Sequence, residues 1–132
     1  MNDFCVGHWS KAQLNVAMSS GEAEMNAAVK ALSEMIGLHV LLSELSEARA
    51  ILTLHTDSSA CKGMLLRQGS GRVKHLAVKQ LWSQGAVQSY GVDVVKIPRE
   101  VNAADVLTHW VAHHDLHRGI SSMGFSFPTS VR

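Results

Sequence analysis

Two short apolar runs, residues 50–56 and residues 92–97, constrain this chain more than any other feature. Each is about the length of one strand, carries β-branched residues and has little polarity, which suits strands buried in a mixed or parallel sheet. Asp57 closes the first run, and Gly91 opens the second, which Pro98 stops. Between them lie helical patterns, so the expected order is strand material, helix, strand, two helices, strand, helix. That order predicts an α/β fold, a mixed sheet with helices on both faces, in which chemistry gathers at strand ends and helix starts.

The helices have their own signals. Ser19 and Glu22 form an S-x-x-E capping box before a run rich in Ala, Leu, Met and Glu. Ala28, Ala31, Met35, Leu38, Leu42 and Leu45 recur at spacings of three and four and predict its inner face, with Gly37 as a point for a bend or break. Residues 58–68 predict a short helix, 69–71 a loop and 73–87 a further helix with Leu76, Val78, Leu81 and Trp82 on its apolar side. Asn102 is placed to cap a last helix through about His117, followed by a loose tail. Short alternations within residues 4–18 predict one strand or a small hairpin. The expected domain is residues 1–120, with residues 121–132 as tail.

With 132 residues the chain has the size of one domain. No apolar run reaches the roughly 18 residues of a bilayer span, the first ten residues lack the pattern of a signal peptide, and Cys5 and Cys61 make no disulfide framework. An intracellular setting, cytoplasm or nucleus, is therefore expected. The net charge of +1 conceals segregation. Residues 19–47 hold five Glu against one Lys, whereas residues 58–92 hold Lys62, Arg67, Arg72, Lys74 and Lys79 and no acid. The basic stretch reads either as a solvated face or as a phosphate-facing patch.

Three acids stand out. Glu24 lies four residues before Ala28 and is predicted to face the apolar side of its helix; Asp57 ends a strand; Asp105 lies in the first turn predicted for the last helix. If the three converge, hard oxygen ligands of this kind select Mg²⁺, with Mn²⁺ as its substitute. The alternative is that Asp57 and Asp105 are helix caps and Glu24 pairs with a Lys. His109, His113 and His117 recur every fourth residue and read as a chelating face or as a solvated His-rich one.

Four motifs resemble a known family in order and spacing. Ser19-Ser20-Gly21-Glu22-Ala23-Glu24, Thr56-Asp57-Ser58-Ser59-Ala60, Lys74-His75-Leu76 and Asn102-Ala103-Ala104-Asp105-Val106-Leu107-Thr108 are similar to the ribonuclease H domain of copia-type LTR retrotransposon Pol polyproteins. Residues 8–13 and 123–125 also resemble it. The resemblance implies the ribonuclease H fold and hydrolysis of the RNA strand of RNA/DNA hybrids, with two Mg²⁺ ions held by four carboxylates. By motif match, Glu24, Asp57 and Asp105 take the second, third and fourth acidic positions, both as catalytic residues and as metal ligands. Arg72, Lys74, His75 and Lys79 fall where phosphates of the hybrid would lie.

The chain also departs from that pattern. Only 18 residues precede Ser19, fewer than the roughly 20–25 needed by three strands and their turns. The match begins at the family's third strand, so the first two strands and the first catalytic Asp have no counterpart, and Asp3 has no strand pattern around it. Two expectations result: little or no ribonuclease H activity for the chain alone, and self-association through an exposed sheet edge. The expected partners are an RNA/DNA hybrid or other nucleic acid and the reverse transcriptase part of the same polyprotein.

Overall fold

The computed structural model describes residues 5–10, 13, 17, 19–46, 49–69, 77–108 and 110–125. The chain divides into two compact units, Gln13–Ile97 and a second made of Met1–Ala12 with Pro98–Arg132. They are described in turn.

In the Gln13–Ile97 unit, helix α1 spans Ser20–Leu45. Its capping box works as expected at one end: the Ser19 hydroxyl accepts from the Glu22 amide at 3.2 Å. Gly37 does not break it into two, because the neighbouring residues include good helix formers that keep the run continuous. Strand β1 (Thr53–Thr56) leads to α2 (Ser59–Leu66), then α3 (Ala77–Ser89), then β2 (Asp93–Lys96). The strands are parallel, with Thr53 opposite Asp93 and Thr56 opposite Lys96. Gly91, at a φ of +62°, makes the sharp entry from α3 to β2 that a side chain would strain.

Leu52, Leu54, Val92 and Val94 share one face of the sheet and pack with Met25, Ala28 and Leu32 of α1, Cys61 and Leu65 of α2 and Val87 of α3. Thr53 and His55 are exposed on the other face. The amides of Asp93 and Ile97 donate to Leu52 and Thr56 carbonyls. Thr53 and His55 therefore turn their backbone groups away from β2, with no partner for that edge among the described residues.

Two predicted inner faces need correction. On α1, Ala28, Ala31 and Met35 lie in or against the core, but Leu38 and Leu42 are 36% and 42% exposed and Leu45 is 75% exposed. The buried cluster ends before the helix does, and the sheet beneath it has two strands among the described residues. By length and a mean hydropathy of 1.2, α1 also qualifies as a membrane-spanning helix, contrary to the scan of apolar runs; yet Met25, Ala28 and Leu32 are packed in a protein core.

On α3, Val78, Leu81 and Trp82 are exposed, and the buried side chains include Gln80, Ser83 and Gln84 with Ala86 and Val87. These polar groups are buried because they are satisfied. The Gln84 amide donates to the carbonyls of Met64 (2.9 Å) and Gly69 (3.1 Å) and accepts from the Gly69 amide (3.0 Å). The Ser83 hydroxyl donates to the Gln80 carbonyl, and the Gln80 side-chain oxygen accepts from the Arg67 guanidinium at 2.9 and 2.6 Å. Two glutamines thus fasten the end of α2 to α3. Leu76 and residues 70–76 lie outside the described residues.

The second unit is built differently. Two 3₁₀ turns, Arg99–Val101 and Ala103–Leu107, precede α4 (His113–Ser122). Asn102 is a cap as predicted, accepting from the Ala104 amide at 3.2 Å, but what it caps is the second 3₁₀ turn. A helix from Asn102 through His117 does not form: Thr108 ends the turn, Trp110 is 98% exposed, and the α-helix starts anew at His113. Val106 lies so close to Gly119 that a Cβ there would overlap it. Residues 5–10 contain no strand; much of the predicted hairpin at residues 4–18 lies outside the described residues. Ser121 and Ser122 belong to α4 and not to a tail, while residues 126–132 lie outside the described residues.

Candidate active site

Asp57 follows β1 immediately and is half-buried. Its position is set by the parallel ladder and then by a local stop, in which the Ser58 amide donates to Thr56 Oγ1 (3.1 Å) and the Ser58 hydroxyl caps α2 by accepting from the Cys61 amide (3.1 Å). Glu24 stands in the second turn of α1. At Gly21 this end of α1 packs on α2, where a Cβ would meet Ala60 at 3.4 Å and Met64 at 3.5 Å in ordinary contact.

Both carboxylates act electrostatically on one buried thiol. The Cys61 thiol is buried, and burial pushes its pKa from 9.0 up to about 11; a hydrogen bond to Thr56 pulls the other way, and the charges of Glu24 and Asp57 push it up further. Both acids therefore lie within electrostatic reach of the same sulfur. Glu24 itself is exposed, which corrects the predicted inward placement: Met25, the next residue, takes the buried position. The sequence marks Cys61 only as one of two cysteines that make no disulfide framework.

Asp105 belongs to the other unit. Its carboxylate accepts from Arg99 Nε at 3.2 Å, and its side chain is 23% exposed against 65% for Arg99. The Asn102 cap and a Thr108 hydroxyl that donates to the Asp105 carbonyl (2.9 Å) hold the turn that carries it. Arg99 escaped sequence reasoning. The one available signal was a cation six residues before an acid, and only the reversal of the chain at Asn102 makes that spacing a contact.

The family's metal arrangement can be tested on these residues. Glu24 and Asp57 have the right donor chemistry and a common neighbour, but Asp105 is matched to a guanidinium. Within either unit no group of three or more His, Cys, Asp or Glu side chains among the described residues is arranged to hold a metal ion.

Of the predicted phosphate-binding residues, Lys79 is exposed on α3 and donates to Asn26 Oδ1 at 3.2 Å; Asn26 in turn donates to Gln13 Oε1 at 3.2 Å. Arg72, Lys74 and His75 lie outside the described residues. Arg67, counted in the same basic stretch, turns to Gln80. On α4 the rings of His113 and His117 are 4.5 Å apart, and His114 meets Asp115 and Arg118 at 3.1 and 2.7 Å; His109, the third residue of the predicted face, lies outside the described residues.

Comparison with known proteins yields one class. The chain is 35% identical over 102 residues to the retrovirus-related Pol polyprotein from transposon TNT 1-94 of Nicotiana tabacum, a match over 75% of this chain. It spans 8% of that relative's length. This homology supports a retrotransposon Pol origin for the chain. No family model matches it. No solved structure matches it.

Proposed function

We propose that the chain is the ribonuclease H-like segment of a retrotransposon Pol polyprotein, which engages RNA/DNA hybrid through its basic stretch and, by itself, cleaves it little or not at all. The observation that carries this reading is that Asp57, at the end of β1, and Glu24, on α1, both bear electrostatically on the buried Cys61 thiol, in a chain with a Pol relative over most of its length. Carboxylates near a parallel strand's end are suited to a hydrolytic site, and the lysines of an acid-free stretch are suited to phosphate.

The family activity is Mg²⁺-dependent hydrolysis of the RNA strand. In this chain Asp105 pairs with Arg99 instead of presenting a bare carboxylate, which supports the impaired form of that activity. The edge of β1 that has no partner among the described residues supports the expectation that the sheet takes a further strand, from the polyprotein or from a second copy. The same reading places the reverse transcriptase part of the polyprotein as a neighbour and the working environment inside the cell.

A fluorescent RNA/DNA hybrid tests the reading. Binding is expected to weaken steeply as salt rises, Lys74→Ala and Lys79→Ala are expected to weaken it about equally on any sequence, and gels run with Mg²⁺ are expected to show intact RNA. Salt-insensitive binding, or none, would remove the nucleic-acid role. Cleavage that Asp57→Asn abolishes would establish a competent hydrolase in place of a binding segment.

A further inference from the structure

The second unit contains a cleft of about 450 Å³ whose lining includes Arg99, Asp105, Val106, Asp115, Arg118 and Gly119. Both aspartates in it are already matched by cations of the same chain. Arg99 Nε donates to Asp105 Oδ2 at 3.2 Å, and Arg118 Nη2 lies 3.3 Å from Asp115 Oδ1. Arg99 comes from the first 3₁₀ turn and Asp105 from the second, so their pair ties together two turns that share little apolar burial. Arg118 and Asp115 are one turn apart on α4.

We propose that Arg99 is a built-in counter-ion that keeps divalent cations off Asp105, making this acidic position a strut of the unit and not a metal ligand. A guanidinium at hydrogen-bond distance neutralises the carboxylate and repels an arriving dication. The metal role at issue rests on the ribonuclease H-like reading, but the ion pair and its effect on cation binding do not.

Paramagnetic broadening by Mn²⁺ alone, followed by NMR on the full chain without nucleic acid, tests this. The Asp105 amide is expected to broaden less than that of exposed Glu44, and in Arg99→Gln to broaden at least about fivefold more than in wild type. Arg99→Lys, which keeps the charge, is expected to behave as wild type. Two outcomes would overturn the proposal: wild-type Asp105 broadening as strongly as Glu44, or Arg99→Gln leaving Asp105 unaffected by Mn²⁺. The wild-type comparison stands even if Arg99→Gln fails to fold. Loss of hybrid binding would remove the nucleic-acid reading while leaving these Mn²⁺ outcomes unchanged, so the two can fail separately.

Discussion

The two units hold their acids by different physics. In Gln13–Ile97, Asp57 is placed by a parallel ladder over an apolar cluster in which Met25, Leu32, Cys61 and Leu65 are at most 1% exposed. In the second unit Asp105 is placed by a cap, a hydroxyl and an ion pair, and the buried residue of its helix is a glycine pressed against Val106. An acid at the end of a strand in a packed sheet inherits the stability of the core. An acid in a 3₁₀ turn depends on a few polar contacts, each of which is weak where water can compete.

The largest test of this contrast is Leu32→Ala. Removing a fully buried side chain should cost about 2–5 kcal/mol in chemical denaturation, and hydrogen exchange should rise in α1, β1 and α2. A loss below about 1 kcal/mol would mean the cluster does not carry the unit. Next, Gln84→Ala removes three hydrogen bonds and leaves the groups of Gly69 and the Met64 carbonyl without them, an expected loss of about 2–3 kcal/mol, with faster exchange at the Gly69 amide as its signature. In the second unit, Gly119→Ala should cost about 1–3 kcal/mol by forcing Val106 aside, visible as a loss of α4 protection with β1 unchanged. An unaltered α4 would show that the turn and helix are not pressed together.

The smallest effect, taken per pH unit, is a pH dependence confined to the first unit. The Cys61 thiol titrates near 9.0 when unfolded and near 11 when folded, so the folded state holds its proton longer. Its contribution to stability is complete below pH 9 and falls as pH rises from 9 towards 11, by at most roughly 1.4 kcal/mol per pH unit. Cys61→Ala should flatten that slope in melts across this range. An identical slope in the variant would assign the pH dependence to other groups.

Particular residues show what could be read in advance. The capping box at Ser19, the parallel-type strands ending at Asp57 and before Pro98, and the cap at Asn102 all leave local chemical marks, and all are present. The exposed Leu38, Leu42 and Leu45 mislead because periodicity marks a face without saying how far the core beneath it extends. α3 misleads the other way: Gln80 and Gln84 look like surface residues until the end of α2 offers them partners, and Val78, Leu81 and Trp82 are left outside. The acids divide in the same manner. Asp57 could be placed from its strand, but Glu24 lies one helical step from where the stripe put it, and the partner of Asp105 depends on a turn between them.

By itself the sequence determined the helix start at Ser19, the two strands and the three acids with their Pol-like motifs, because caps, β-branched runs and short-range spacing act within a few residues of chain. Only the tertiary structure decided that Glu24 and Asp57 share the surroundings of Cys61 and that Arg99 neutralises Asp105. Those relations depend on distances through space, which the packing of α1 against α2 and the two 3₁₀ turns flanking Asn102 create between residues that carry no local sign of each other.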